Sequence, residues 1–167
     1  MHHFGESLGL RADLVKLRSV ADYQFGKGIG KILFPESVTI SYSRNTGRIR
    51  YVHLERKRLA TLRPTDGLFS LSIEGAQRIV RTGRSARCFV TVQDNVSDFI
   101  ADGSDVFAIH VIRAHSDIRA KDEVIVIDKK RKVLAIGRAV LSGEEMTDFK
   151  RGVAVKVRRG AKAESYV

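Results

Sequence analysis

From Arg87 onward the apolar residues arrive in five short runs, and no other feature so narrows what this chain can fold into. The runs are "RCFVTVQ", "VFAIHV", "DEVIVID", "VLAIGRAVL" and "GVAVKV". Each has the length of a strand and is rich in valine and isoleucine. Strands this short expose their edges unless the sheet closes on itself, so the second half is expected to be a small closed or nearly closed β-barrel. Alternation in "VFAIHV" is expected to turn Phe107, Ile109 and Val111 inward, and Ala108 and His110 outward. In the last run Val153, Val155 and Val157 alternate with Ala154, Lys156 and Arg158, which sends Lys156 and Arg158 to one outer face. Between the first two runs, "NVSDFIAD" reads as a short helix capped by Asp94, with Val96, Phe99 and Ile100 on one face and Gly103 ending it. Ser142 and Glu145 have the spacing of a capping box.

The first half has a different rhythm. Over residues 7–24, Leu10, Leu14, Leu17 and Ala21 recur at helical spacing. Then "SVTISYSRNTGRIRYVHLERKRLATLRP" and "DGLFSLS" read as four antiparallel strands, with turns at "RNTG" and "ERK". A helix "IEGAQRIVR" with Ser72 as N-cap follows, and a polar link runs from Arg81 to Arg84. The expected fold class is therefore α+β: an N-terminal α+β domain with an antiparallel sheet, residues 1–83, and a β-barrel, residues 84–167.

Between the helix and the first strand lies "FGKGIGKILF", Phe25 to Phe34, with three glycines and two lysines. It is not a phosphate loop. The dinucleotide fingerprint needs Gly-x-Gly-x-x-Gly after a strand and before a helix, whereas here a helix precedes Gly-x-Gly-x-Gly and the strand-like "KILF" follows. The other phosphate loop ends in Gly-Lys-Ser/Thr, but Lys31 is followed by Ile32.

Thirty Lys and Arg against 19 Asp and Glu give a net charge of +11. Such an excess attracts polyanions, and without a basic amphipathic helix the expected partner is nucleic acid rather than a membrane. The cations of the last strand region, Lys150, Arg151, Lys156, Arg158, Arg159 and Lys162, have no acid among them. The single cysteine, Cys88, makes no intramolecular disulfide and no cysteine-based zinc site, and is expected to be a buried apolar residue. With no signal peptide or membrane segment, a reducing cytoplasm is the expected location. The five histidines lack metal-ligand spacing. Asp117, Asp122, Glu123 and Asp128 read as solvated charges at turns and strand ends. No nucleophile, base and orienting group come together, so neither catalysis nor a cofactor is expected.

The order of "FIADGSDVFAIHV", "IRAKDEVIVID" and "VLAIGRAVLSGEEMTDFKRGVAVKVRRG" resembles a PUA domain, a small RNA-binding pseudobarrel carried by many RNA-modifying enzymes. "ADYQFGKGIGKILF", "TGRIRYVHL" and "LATLRPTDGLFSLSIEGA" resemble the small domain preceding PUA in archaeal tRNA-guanine transglycosylases. The glycine stretch then belongs to that domain's framework. Those enzymes place catalysis on an N-terminal barrel with an aspartate nucleophile and a cysteine-rich zinc site. One cysteine cannot build that site, and 167 residues filled by two other domains cannot hold a barrel of typically ~250 residues.

The resemblance implies a non-enzymatic protein that binds structured RNA, with the acceptor stem of tRNA as expected target and a separate catalytic subunit as expected partner. A ribosome-associated or ribosome-biogenesis factor is the alternative. The expected RNA-contacting residues are Gly103, Ser104, Ala108 and His110 beside the bound helix, with Lys150, Arg151, Lys156, Arg158 and Arg159 on the phosphates.

Overall fold

A computed structural model describes the backbone of residues 2–166 and the side chains of residues 8–163. Helix α1, His2–Phe25, buries Leu17, Ala21 and Phe25 at intervals of four, with Leu14 packed beside them. Leu10 lies on the same stripe but is 49% exposed, because this part of α1 has no core beneath it. Gly26, at φ +130°, breaks the helix, and Gly28, at φ +86°, reverses the chain. The expected strand at "KILF" is instead helix α2, Ile29–Leu33. It folds back on α1 because Gly30 lies against the Arg18 backbone and its N–H donates to Asp22 Oδ1 at 2.7 Å. Strand-like composition loses here to a close helix–helix approach.

Strands β1 (Thr39–Tyr42), β2 (Ile49–Leu54), β3 (Lys57–Leu62) and β4 (Phe69–Leu71) form an antiparallel sheet in that order, as the alternation predicts. Helix α3, Ile73–Thr82, follows, and the Ser72 hydroxyl accepts from Gly75 N–H at 3.0 Å as its cap.

The remaining elements are β5 (Phe89–Val92), α4 (Ser97–Ala101), β6 (Val106–Phe107), β7 (Val111–Ala114), β8 (Glu123–Ile127), β9 (Val133–Ala139), α5 (Gly143–Asp148) and β10 (Val153–Gly160). The sheet order is β6-β10-β9-β8-β5-β7, with β5 and β8 parallel and the other pairs antiparallel. Its two edge strands, β6 and β7, are joined by a single 3₁₀ turn, Ala108–His110, which makes the sheet a nearly closed barrel. That turn splits the expected strand "VFAIHV" and reverses the expectation for Phe107, Ala108 and Ile109, while Val111 points inward as expected. Val106, Ala108 and Val111 are buried, whereas Phe107 and Ile109 are exposed. Asp94 does not cap α4. It begins a 3₁₀ turn, Asp94–Val96, and no side-chain cap bond forms at either helix start. Of the expected apolar face, Ile100 is buried, Val96 is partly buried and Phe99 is exposed. The Ser142–Glu145 capping box is present in both directions.

Two apolar clusters hold the molecule together. One fills the barrel, with Val124 and Val126 of β8 pointing in. The other joins α1, α2, α3 and the first sheet to the barrel's outer wall through Ile125, Ile127, Val133 and Ile136. Strand β8 is thus covered on both faces, which is why it reads as a continuous apolar run rather than as an alternation.

Candidate nucleic-acid interface

The expected contact residues fall into three groups. The first surrounds α4 and β6. Gly103, at φ +111°, closes α4 by donating to the Ile100 carbonyl at 2.9 Å, and open space lies where a Cβ would stand. Ser104 is exposed, and its N–H donates to the Phe99 carbonyl at 3.0 Å. Ala108, expected outside, is buried, and its N–H donates to the Gly152 carbonyl at 2.9 Å. Its side chain therefore offers nothing at the surface. His110 is only half exposed; its ring stands edge-on to Phe107, with centroids 6.5 Å apart. The pairing of Val153 with Phe107 brings the exposed Lys150 and Arg151 beside this group. Here the structure gathers a glycine turn, exposed Phe107 and Ile109, and two cations on one rim. The two apolar residues were missed from sequence, because alternation counted from Phe107 rather than from Val106 puts them inside.

Lys156 forms the second group with Arg138, its cross-strand partner on β9. Both are exposed.

The third group departs from expectation. A bulge between Val157 and Arg159 takes Arg158 out of register, so Lys156 and Arg158 do not share one open face. Arg158 donates from Nη1 to Glu123 Oε1 at 2.7 Å, from Nη2 to Glu123 Oε2, and from Nη2 to the Leu71 carbonyl at 2.9 Å. Glu123 also accepts from Leu71 N–H. Its carboxylate is completely buried, not solvated, and it ties the barrel to β4. The sequence did hold the signal: Glu123, Ile125 and Ile127 share a face at period two, and that face packs on the first half. Arg159 is exposed next to Arg158. Lys162 pairs with Asp98 at 3.2 Å and Asp102 at 3.8 Å, which draws the end of the basic cluster onto α4.

Cys88 is buried, and burial, joined by the charge of nearby Glu123, pushes its thiol up to about 12. The native thiol should therefore resist alkylation at mildly alkaline pH and react only once the protein is unfolded. Labelling in native buffer as fast as in denaturant would show that Cys88 is reachable. Among the described residues no group of three or more His, Cys, Asp or Glu converges as a metal site, and no helix is long and apolar enough to cross a membrane.

Residues 15–84 match the family profile described as the patch-forming domain C2 of tRNA-guanine transglycosylase, and residues 89–161 match the PUA domain. The chain is 42% identical over 148 residues to a tRNA-guanine(15) transglycosylase of Methanothermobacter thermautotrophicus, an alignment covering 89% of this chain and 23% of that enzyme. Against the same enzyme of Pyrococcus abyssi it is 44% identical over 142 residues, covering 85% of this chain and 24% of the relative. The chain thus spans about a quarter of the length of the curated relatives it matches. A hypothetical protein from Pyrococcus horikoshii shares the fold, with a TM-score of 0.71, 23% identity, and coverage of 90% of this chain and 91% of that one. So does a PUA domain protein from Thermoplasma acidophilum, with a TM-score of 0.63, 19% identity, and coverage of 90% and 89%. The chain therefore joins a patch-forming C2 domain of the tRNA-guanine transglycosylase kind to a PUA domain, and what it resembles is the C-terminal portion of those archaeal enzymes.

Proposed function

We propose that this chain is a non-catalytic RNA-binding module of tRNA modification, which holds tRNA by its acceptor stem for a separately encoded catalytic chain in the cytoplasm. The observation that carries the reading is the pairing of the two domain matches, 15–84 and 89–161, with relatives named for a tRNA enzyme of which the chain spans only 23%. We take the chain as two units, 1–83 and 84–167, a division that the matches over 15–84 and 89–161 support. The charge of +11 supports a polyanionic partner. On this reading the rim of Gly103, Ser104, His110, Lys150 and Arg151 meets the stem and its 3′ tail, while Lys156 and Arg159 meet backbone phosphates. Side chains cannot read the deep, narrow major groove of A-form RNA, so recognition rests on backbone, 2′-hydroxyls and unpaired ends.

Binding to a tRNA transcript should weaken steeply with salt, by about 0.9 in log affinity per log salt for each phosphate neutralised. A tRNA trimmed of its 3′ tail should bind more weakly than the intact one. Gel shifts across a salt series measure both, and a salt-independent curve would remove the electrostatic basis of the proposal. The purified chain alone should incorporate no labelled base into tRNA. Recovery of ribosomal subunits, rather than a modification enzyme, in a pull-down from native cells would favour the ribosome-associated alternative.

A further inference from the structure

A second basic surface lies between the halves of the molecule. The β2–β3 hairpin and β10 line a cleft of about 880 Å³. Arg56, Lys57 and Arg58 enter it from the hairpin, and Arg158 and Arg159 from β10. Glu74 is the one acid among the described residues lining it, 3.9 Å from Lys57 Nζ. Two of the cations are held in place. The Arg58 guanidinium lies 3.9 Å from the centroid of the Tyr51 ring, and Arg158 is fixed by Glu123 and the Leu71 carbonyl. Burial and the charge of Arg58 keep His53 below its ordinary pKa, so at neutral pH it enters the cleft as a neutral hydrogen-bonding ring beside Thr61 and Ser70.

The hairpin tip carries a second sign. Leu54 pairs with Lys57, so the loop is Glu55 and Arg56, both left-handed at φ +51° and +68°. Asn-Gly is the relaxed choice for such a turn. This chain instead places an arginine there, in a conformation that disfavours it. Folding alone does not call for a cation at that corner.

Set against Glu74 and the buried Glu123, the five cations leave an excess of three positive charges carried by two separate elements, more than one small anion matches. An extended phosphodiester backbone matches them, and the neutral groups between suit 2′-hydroxyls. We propose that this cleft is a second RNA-backbone site, which grips a strand of the bound RNA apart from the Lys150–Arg151 rim and spans both halves of the chain. It rests on the RNA-binding reading above.

The test is a salt series with a tRNA transcript on the intact chain and two variants, Arg56→Gln/Lys57→Gln in the cleft and Lys150→Gln/Arg151→Gln on the rim. The cleft variant should lose at least about tenfold in affinity at low salt, and its salt slope should flatten by about two, with the melting temperature unchanged. Because Cys88 is buried, Arg56→Cys can carry an iron chelate on that position alone, and it should cleave the RNA at one discrete backbone segment. A cleft variant that binds with native affinity and slope, while the rim variant is weakened, would overturn this site and leave RNA binding intact. Cleavage that is absent or uniform along the RNA would also overturn it. Failure of the unaltered chain to bind tRNA would instead remove the broader reading, and the cleft with it.

Discussion

Arg158→Ala is expected to destabilise the protein by about 3 kcal/mol. Removing one partner of a buried ion pair typically costs about 3–5 kcal/mol, because the other charge stays buried without compensation. Arg158 is 38% exposed, so water can reach part of the vacated space, which sets the expectation at the low end. The loss is concentrated on Glu123, whose carboxylate is fully buried and keeps the Leu71 N–H as a donor once the guanidinium is gone. For a chain of this length the melting temperature should fall by about 6–12 °C, readable by circular dichroism. Lysine should not substitute, since one ammonium cannot reproduce the fork to both carboxylate oxygens and the Leu71 carbonyl. Adding Glu123→Gln to Arg158→Ala should recover about 1–2 kcal/mol, because a neutral amide still accepts from Leu71 and buries no charge. An alanine variant within about 0.5 kcal/mol of the native protein would make Arg158 an ordinary surface residue.

That expectation shows where sequence reading fails. Strict alternation makes Arg158 an outward phosphate ligand of negligible structural weight. A single bulge in β10 turned it back onto the barrel wall, and bulges leave no composition signal when the extra residue is polar. The same one-residue logic reversed Phe107, Ala108 and Ile109, where a 3₁₀ turn interrupts the strand. By contrast, the four-strand meander, the Ser72 cap and the Ser142–Glu145 box were legible, because each depends on residues close in sequence. The candidate site was legible in its composition and not in its grouping. Lys150, Arg151, Lys156, Arg158 and Arg159 look like one cluster along the chain, yet β10 distributes them over the rim, the strand face and the cleft. The hairpin cations that meet Arg158 and Arg159 lie about 100 residues away, a distance that no local pattern crosses.

Gly30→Ala is expected to be nearly as damaging, and it tests whether the glycine stretch is framework. A Cβ at Gly30 would overlap the Arg18 carbonyl oxygen and stand 2.7 Å from the Arg18 Cα. Those are backbone atoms of α1 and cannot swing aside as a side chain would. Helix α2 must therefore move, and Ile29, Leu33 and Phe34, all fully buried, must move with it. Two further bonds across this contact would loosen, from Gly30 N–H to Asp22 and from Arg18 Nε to the Phe34 carbonyl at 2.9 Å. Overpacking of this kind costs about 1–3 kcal/mol and occasionally more. The lost hydrogen bonds add about 1 kcal/mol each, while alanine's higher helix propensity returns about 1 kcal/mol. The net expectation is a loss of about 3 kcal/mol, or about 6–12 °C in melting temperature. Gly28→Ala is the control from the same motif. Nothing lies within 4 Å of its Cβ position, and only the left-handed φ of +86° is strained, so it should cost about 1–2 kcal/mol. If the glycines instead cradled a phosphate, both substitutions would lower affinity for RNA while the melting temperature held. A Gly30→Ala protein of native stability would show that α1 and α2 do not approach each other as described.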